Sequence, residues 1–236
     1  MLEKLKQKVW KANLDLVKYN LVTLTFGNVS GIDREKGLVV IKPSGVEYEE
    51  LKPEDMVVVD LEGRIVEGEL NPSSDTPSHL EIYRAFREIG SVAHTHSEYA
   101  SIFAQACQEI PCFGTTQADY FRGAVPVTRF LREEEVKGGY ERNTGKVIVE
   151  RFRELNPLAI PAVLVAGHGP FAWGKTPEEA VKNNFILEKI AKMALGTLLL
   201  NPQSESLPEH ILQKHFQRKH GPDAYYGQKR KRRKRR

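Results

Sequence analysis

Short apolar runs bounded by turn residues alternate with helical segments along almost the whole chain, and this alternation limits the possible folds most strongly. Residues 56–67 turn at Glu62-Gly63, a pattern typical of a β-hairpin. Residues 162–166 predict a buried strand, and residues 177–200 predict a long helix that begins at a proline. Strands and helices mixed in this order indicate an α/β protein.

Other segments follow the same patterning. Helical segments are predicted at residues 1–20, 76–87, 98–108, 146–155 and 207–219. Short apolar, strand-like runs occupy residues 21–26, 38–42, 91–96 and 124–128. No repeat period is present, and no linker composition precedes Gln228. We therefore expect one domain over residues 1–228 and a separate tail over residues 229–236.

The charge distribution argues against nucleic-acid binding by the folded part. The formal net charge is +4, but the last eight residues, 229–236, are all Lys or Arg. The rest of the chain is mildly acidic, so a broad basic face is not expected. A terminal charge run is usually solvated and disordered, and we expect at most non-specific contact with polyanions through it.

Composition also favours a cytoplasmic enzyme over a membrane or secreted protein. The most apolar long segment, residues 180–200, carries several charged side chains, which an amphipathic helix keeps in water and a lipid-facing helix would not tolerate. The N-terminus is charged from Glu3 onward and has no secretory apolar stretch. The two cysteines, Cys107 and Cys112, are too few for a disulfide scaffold.

Three of the seven histidines have the spacing of metal ligands. His94 and His96 are two residues apart on a predicted strand, so their side chains share one face. His168 lies between two glycines after a second predicted strand, where little else crowds a ligand. Three imidazoles that leave a coordination position open are typical of catalytic Zn²⁺. The alternative is a half-buried strand with ordinary hydrogen-bonded histidines. Asp75, just before a predicted helix, adds a carboxylate and favours the metal.

The four remaining histidines are expected on the surface or on helix faces. They are His79, His210, His215 and His220.

Three segments have the chemistry of anion-binding loops: residues 27–30, 42–45 and 71–76. Each offers backbone N–H groups together with hydroxyl, amide or ammonium donors, which suit a phosphate. Ser73 and Ser74 also precede a predicted helix N-terminus, where an anion is favoured. Each segment taken alone is more typical of a turn, because Gly, Pro, Ser and Asn fill turns everywhere, and its value as a binding loop depends on convergence of the three segments.

Residues 169–176 match the nucleotide-binding pattern G-x-x-x-x-G-K-[ST], but the match is misleading. A phosphate cradle needs inward-pointing backbone amides from small residues. Pro170 has no N–H, and Phe171 and Trp173 are bulky. We therefore predict that this segment does not bind a nucleotide. The dinucleotide fingerprint G-x-G-x-x-G is also absent.

Seven separated stretches resemble the L-ribulose-5-phosphate 4-epimerases of the class II aldolase/epimerase family, and the resemblance runs from residue 1 to residue 228. They are LVTLTFGNVS at 21–30, IKPSGV at 41–46, PSSDTP at 72–77, HTHS at 94–97, GTTQADYF at 114–121 and GHGPFAWGK at 167–175, followed by AYYGQ at 224–228. The resemblance implies a three-layer α/β/α fold with a mostly antiparallel central sheet. It also implies a homotetramer with active sites between subunits.

The resemblance further implies a role for each site residue. The ion, usually Zn²⁺ with Mn²⁺ or Co²⁺ possible, would be held by Asp75, His94, His96 and His168. The sugar phosphate would lie among Gly27, Asn28, Lys42, Ser44, Gly45, Ser73 and Ser74. Asp119 matches one acid/base group, and Tyr226, donated by a neighbouring subunit, matches the other. Thr115, Glu141 and His215 match assisting positions.

The implied reaction is the interconversion of L-ribulose 5-phosphate and D-xylulose 5-phosphate at C4, a step of L-arabinose catabolism, by retro-aldol cleavage and re-addition. The alternative is a sugar-phosphate aldolase of the fuculose-1-phosphate type. Related aldolases carry a glutamate where this chain has Asp75, and the shorter side chain favours the epimerase. Gln117 departs from the pattern, because some members have histidine there.

Overall fold

Seven short strands form one sheet in which every neighbouring pair is antiparallel. The computed structural model describes residues 2–226, so the predicted tail at 229–236 lies outside the described residues. The strands are β1 Asn28–Asp33, β2 Leu38–Ile41, β3 Val57–Asp60, β4 Ile65–Glu67, β5 Ser91–His94, β6 Ala162–Val165 and β7 Gly169–Gly174. Their order across the sheet is β4-β3-β2-β1-β5-β7-β6.

The described residues contain eight α-helices, several of which cover the two faces of this sheet. They are α1 Glu3–Lys18, α2 Thr76–Ala85, α3 Glu98–Gln105, α4 Thr115–Ala118, α5 Glu133–Lys137, α6 Tyr140–Arg151, α7 Pro177–Leu200 and α8 Glu209–His220. None of the helices in this part of the chain combines the length and the apolar character that crossing a bilayer requires.

Alternation along the strands separates the helices into two layers. Val39 of β2 packs in the cluster that contains Leu80 of α2, whereas the next residue, Val40, packs with Val9 of α1. Helix α7 packs on the same side as α1, where Ala180 meets Ala93 of β5. The three-layer α/β/α architecture with an antiparallel central sheet is therefore confirmed.

The register brings the candidate ligands to one end of the central strands. Asn28, at the start of β1, pairs with His94 at the end of β5. His94 also pairs with Phe171 of β7, and His168 lies in the turn that joins β6 to β7. Antiparallel pairing thus places the end of β5 beside the turn that carries His168, although their residues are far apart in sequence.

The nucleotide-binding pattern forms a strand, not a loop. Residues 169–174 are β7, which pairs with β5 on one side and with β6 on the other. Backbone amides committed to a sheet cannot form a phosphate cradle. The strand conformation supports the prediction that this segment is not a nucleotide-binding loop.

Two strand-like runs are not strands. Residues 21–26 form a loop, in which Leu24 has a φ of 52° and is 71% exposed. A non-glycine residue with positive φ does not fit an extended strand. Residues 124–128 make only isolated bridges, from Val125 to Ile110 and from Val127 to Leu164. A third expectation is partly wrong, because β5 ends at His94 and His96 lies beyond it.

Close packing of α6 against α2 depends on Gly145. A Cβ at this position would lie 2.6 Å from Glu81 Cβ and 2.8 Å from the Ser78 backbone oxygen. Ser78 Oγ also donates a hydrogen bond of 2.5 Å to the backbone oxygen of Glu141, which keeps the first turn of α6 beside α2.

Gly145→Ala should lower the free energy of unfolding by up to about 2 kcal/mol. Overpacking typically costs about 1–3 kcal/mol, and the better helix propensity of alanine offsets about 1 kcal/mol of that cost. Urea denaturation measures the change. The matched control is Gly196→Ala in α7, where a Cβ meets nothing within 4 Å, so it should stabilise the protein. Equal effects from both substitutions would contradict the packing argument.

Candidate metal centre and substrate pocket

Three imidazoles converge at the end of the sheet. His96 Nε2 lies 3.2 Å from His94 Nε2 and 3.0 Å from His168 Nε2, and the three candidate ligand atoms all lie within 4.8 Å of one another. Three ring nitrogens directed at one point suit a divalent cation such as Zn²⁺ with a position left open. The sequence prediction that these histidines meet is confirmed.

Hydrogen bonds orient two of the three rings. His94 Nδ1 lies 3.0 Å from the backbone oxygen of Pro170, which requires a proton on Nδ1 and leaves the Nε2 lone pair free. His168 Nδ1 lies 3.3 Å from Tyr140 Oη. The His94 ring also stacks on Phe171 with 4.1 Å between centroids. These contacts aim Nε2 of both rings at the shared point.

The surroundings favour the neutral form of two of these imidazoles, His96 and His168. Burial, followed by the neighbouring histidines, lowers the pKa of His168 to about 3. Burial and the proximity of His94 also lower the pKa of His96. Metal binding requires deprotonated imidazoles, so protons compete little for His96 and His168 at neutral pH. The chemistry of the donor set therefore fits a divalent metal ion.

Asp75 lies in the same pocket but is not in the group of three close ligand atoms. Its Oδ2 accepts a hydrogen bond of 2.7 Å from Asn28 Nδ2. Burial alone raises the pKa of Asp75, but nearby histidines and the Asn28 hydrogen bond outweigh it and hold the pKa below its usual value. The carboxylate is therefore ionised beside the histidines, and its role as a metal ligand remains a prediction.

One cavity of about 380 Å³ joins the histidines to the predicted anion-binding loops. A bridge between Pro43 and Pro72, with hydrogen bonds from Ser73 N to Lys42 O and from Ser44 N to Asn71 O, sets two of these loops side by side. The predicted residues that line the cavity are Gly27, Asn28, Lys42, Ser44, Gly45, Ser73, Ser74, Asp75, His94, His96, Glu141 and His168. The three loops and the histidines therefore converge on one cavity, which the sequence alone could not establish.

Lys42 is a buried cation in this pocket. Its side chain is almost fully buried, and Nζ donates to the backbone oxygen of Val46 at 2.7 Å. Nζ also lies 4.7 Å from the centroid of the Tyr48 ring. Burial lowers the pKa of Lys42 to about 8, against an opposing effect of Glu47. The ammonium is therefore charged at pH 7 and readily loses that charge in mild alkali.

Gly27 is required by the backbone at the start of β1. Its φ is +86°, and a Cβ would lie 2.8 Å from Val22 Cγ1 and 3.0 Å from the His94 backbone oxygen. Both the conformation and the space exclude a side chain here. The loop therefore passes directly against the end of β5.

Asp119 lies in a different place, outside the histidine pocket. Arg218 of α8 donates to its carboxylate twice, from Nε at 2.8 Å and from Nη2 at 2.6 Å. His215 Nδ1 lies 3.1 Å from Asp119 Oδ1, and Lys219 Nζ lies 3.6 Å from Oδ2. Burial opposes ionisation, but these hydrogen bonds and charges hold the pKa of Asp119 below its usual range.

Thr115 and Tyr226 belong to this second cluster. The backbone oxygen of Thr115 accepts from Asp119 N at 3.0 Å, one turn away in α4. The exposed Tyr226 ring lies 4.9 Å from Arg218 Cζ and 4.3 Å from Lys219 Nζ. Within one chain, the predicted acid/base residues Asp119 and Tyr226 lie together, with Thr115 and His215, and apart from the pocket.

The structure adds residues to the site that the sequence reasoning missed. Tyr140 and Phe26 line the histidine pocket, and Phe26 stacks on His96 with 5.9 Å between centroids. His79 lies on a helix face, as one of the two expected placements has it, but that face of α2 is fully buried and not at the surface. Its Nδ1 lies 2.7 Å from Ser30 Oγ, on the α2 face that covers the sheet. The apolar run that contains Phe26 and the helical face that carries His79 were visible in the sequence, but neither pattern indicates a site.

Comparison with known proteins identifies the family. Residues 7–195 match the family model described as "Class II Aldolase and Adducin N-terminal domain". An L-fuculose 1-phosphate aldolase of known structure is 29% identical, with a TM-score of 0.76, and the alignment covers 90% of this chain and 94% of that one.

Two further solved structures are also similar. YgbL from Klebsiella pneumoniae is 25% identical with a TM-score of 0.72, over 91% of this chain and 99% of that one. The L-fuculose-1-phosphate aldolase from Thermus thermophilus is 26% identical with a TM-score of 0.65, over 86% of this chain and 99% of that one. The family model covers well over half of the chain and includes all three clustered histidines. The protein therefore belongs to the class II aldolase/adducin family.

Proposed function

We propose that this protein is a metal-dependent enzyme that breaks and re-forms a carbon–carbon bond in a sugar phosphate, and specifically an L-ribulose-5-phosphate 4-epimerase. The observation that carries the proposal is the convergence of three imidazole Nε2 atoms in the same cavity as Lys42 and the donor-rich loops. One part of the cavity suits a divalent cation, and the other suits a phosphate.

Inversion at C4 of a pentulose 5-phosphate requires bond cleavage. C4 is β to the carbonyl carbon, so its hydrogen is not acidic and simple deprotonation cannot invert it. Opening the C3–C4 bond gives an enediolate and glycolaldehyde phosphate, and re-addition to the other aldehyde face gives the inverted alcohol. A divalent ion on His94, His96 and His168 would act as a Lewis acid toward the charge that develops on the C2 and C3 oxygens.

The chain's own residues hold the substrate during this step. The buried Lys42 ammonium offers a charged donor to the phosphate. The two loops that carry Ser44 and Ser73–Ser74 offer neutral donors. Asn28 donates to both Ser73 Oγ and Asp75 Oδ2, so it links the phosphate loop to the carboxylate. An anchored phosphate keeps the aldehyde fragment in place while it rotates.

Two faces of the aldehyde require two groups that transfer protons. We assign these roles to Asp119 and Tyr226, with Thr115, Glu141 and His215 assisting. Asp119 and Tyr226 lie outside the pocket of their own chain, which supports contribution from a neighbouring copy. Large apolar side chains exposed near the end of α7, Met193, Leu199 and Leu200, are consistent with an interface between copies. We therefore propose a cytoplasmic homotetramer built from the domain of residues 1–228.

A class II aldolase of the fuculose-1-phosphate type is the second candidate. The similarity to an L-fuculose 1-phosphate aldolase over 90% of the chain favours it. Asp75 favours the epimerase, because the related aldolases carry the longer glutamate there. Both enzymes would use the same histidines. They differ in whether the aldehyde fragment adds back to the enediolate, as in an epimerase, or leaves the site, as in an aldolase.

Incubation of the zinc-loaded protein with L-ribulose 5-phosphate tests the proposal. An epimerase forms D-xylulose 5-phosphate and releases almost no free aldehyde. Release of an aldehyde from L-ribulose 5-phosphate or L-fuculose 1-phosphate, without the C4 epimer, would support the aldolase. Absence of both products with a fully loaded metal site would contradict both candidates.

Anion binding in the pocket should weaken as pH rises through about 8, where Lys42 loses its charge. Sulfate is a suitable probe, because its own charge stays constant in this range. We expect about a tenfold loss of sulfate affinity between pH 7 and pH 9.5, which is the order of magnitude of one charge-assisted hydrogen bond. Isothermal titration calorimetry measures it.

Lys42→Met should weaken sulfate binding at pH 7 and remove most of the pH dependence. Lys36→Met, at an exposed position outside the pocket, is the matched control and should leave the profile unchanged. A Lys42→Met protein with the wild-type pH profile would show that another group titrates.

A further inference from the structure

His96 is the least supported of the three clustered histidines. Strand β5 ends at His94, so the sheet does not fix the position of His96. Its residue is exposed, and among the described residues no hydrogen bond reaches its Nδ1. On the side that faces solvent, the His96 ring stacks on the Phe26 ring. The position of His96 therefore depends on how the segment of residues 95–100 is held.

Helix α7 holds this segment at two points, one on each side of His96. Thr95 Oγ1 donates to Asn184 Oδ1 at 3.1 Å. Glu188 accepts from Tyr99 N at 2.9 Å and from Ala100 N at 3.0 Å, one oxygen for each N–H. Asn184 and Glu188 are four residues apart, so they lie on the same face of α7.

Burial of these two side chains would be costly without such a role. Asn184 is fully buried, and Glu188 is 8% exposed. Among the described residues, no lysine, arginine or histidine forms an ion pair with Glu188. The free N–H groups at the start of α3 are its partners, where a helix terminus favours negative charge. A buried carboxylate on α7 thus fixes the first turn of α3 directly after His96.

The other side of the segment is packed just as closely. A Cβ on Gly169 would lie 2.7 Å from the Thr95 backbone oxygen and 3.6 Å from His96 Cδ2. The turn that carries His168 therefore lies directly against the segment that carries His96. With α7 on one side and this turn on the other, the segment has little room to shift.

We propose that Asn184 and Glu188 are positioning residues that hold His96 in ligand geometry and thereby set the metal affinity of the site. This inference rests on the proposed metal centre. It assigns a role in metal binding to a helix that contributes none of the three histidines. Interactions that orient ligands from outside the coordination sphere typically change metal affinity about 10–100-fold.

Cobalt(II) binding to the chelator-treated protein tests the inference, with the visible absorption of the bound ion as a readout of coordination geometry. We expect Glu188→Gln to bind Co²⁺ about 10–100-fold more weakly and with an altered spectrum, because one amide oxygen cannot accept from both N–H groups as the carboxylate does. Glu179→Gln is the matched control. This substitution removes the same charge from α7, at a carboxylate that accepts a hydrogen bond from Lys175 N. The Glu179→Gln protein should bind Co²⁺ like the wild type.

A second pair of variants keeps the test valid if Glu188→Gln does not fold. Thr95→Val removes the hydroxyl that donates to Asn184 and should weaken Co²⁺ binding, whereas Thr95→Ser keeps the donor and should restore it. Wild-type affinity and spectrum in both Glu188→Gln and Thr95→Val would overturn the inference and leave the metal centre intact. If the wild type itself binds no Co²⁺, the metal centre is wrong and the inference falls with it.

Discussion

Replacing His96 with asparagine should leave a folded protein that retains almost no divalent metal and turns over sugar phosphate about 10³-fold more slowly. His96 is exposed and lies beyond the end of β5, so the substitution removes a ligand without opening the core. Loss of about 4 kcal/mol of stabilisation of the developing negative charge corresponds to about 10³ in rate. Metal content per chain by mass spectrometry and kcat/KM measure the two effects.

The control for this prediction is His210→Asn. His210 is an exposed histidine on α8 that does not line the histidine pocket, so its loss should change neither quantity. Full turnover by a His96→Asn protein that contains no metal would refute the metal-dependent reaction. Loss of turnover with full metal content would instead assign His96 a role in binding the substrate.

Tyr226→Phe should lose epimerisation by about 10²–10⁴-fold, the usual contribution of a general acid or base, while keeping the fold and the metal. The aromatic ring remains, so its contacts with Arg218 and Lys219 persist and only the hydroxyl is removed. Rates of D-xylulose 5-phosphate formation measure the loss. Tyr225→Phe is the matched control, because Tyr225 is a neighbouring exposed tyrosine beside Lys214.

Mixing two inactive variants tests whether Tyr226 acts in the pocket of a neighbouring copy. A His96→Asn subunit carries an intact Tyr226, and a Tyr226→Phe subunit carries an intact histidine cluster. After the two proteins are unfolded and refolded together, mixed assemblies should regain a substantial fraction of wild-type activity. Wild-type turnover by Tyr226→Phe alone would remove this residue from the mechanism, and failure of every mixture would place both groups in one chain.

Sequence reasoning located the metal cluster well because its physical requirements are local. His94 and His96 need only a short spacing, and His168 needs only a turn between two glycines. The prediction that His94 and His96 both lie on a strand is only partly correct, because β5 ends at His94. The rings still meet because residue 96 lies in the short connection between β5 and α3, only two residues beyond residue 94.

The sequence was less informative wherever apolar residues cover a site instead of a core. The run at 21–26 has the composition of a strand, yet Leu24 has a positive φ and Phe26 lies over His96. Composition does not distinguish these two uses of apolar side chains. Strand β7 was not predicted, because its composition is not typical of a strand: Pro170 and two glycines are unfavourable there.

The arrangement of the acid/base residues was beyond reach for a different reason. Asp119 and Tyr226 both contact Arg218, which holds the Asp119 carboxylate, and both residues are separate from the histidine pocket. If Tyr226 acts in the pocket of a neighbouring copy, as proposed, the relation between the two sites depends on how two copies meet. No pattern within one sequence specifies how two copies meet.

The turn geometry at the end of the sheet has a consequence for heat resistance. An ion held by His96 and His168 would cross-link two turns whose residues are 72 positions apart, and it could do so only in the native state. At a free concentration a thousand times its dissociation constant, such an ion adds about 4 kcal/mol to the free energy of unfolding. Stripping the metal would therefore lower the melting temperature as well as stop the chemistry, and prolonged storage in a chelator would threaten the fold itself.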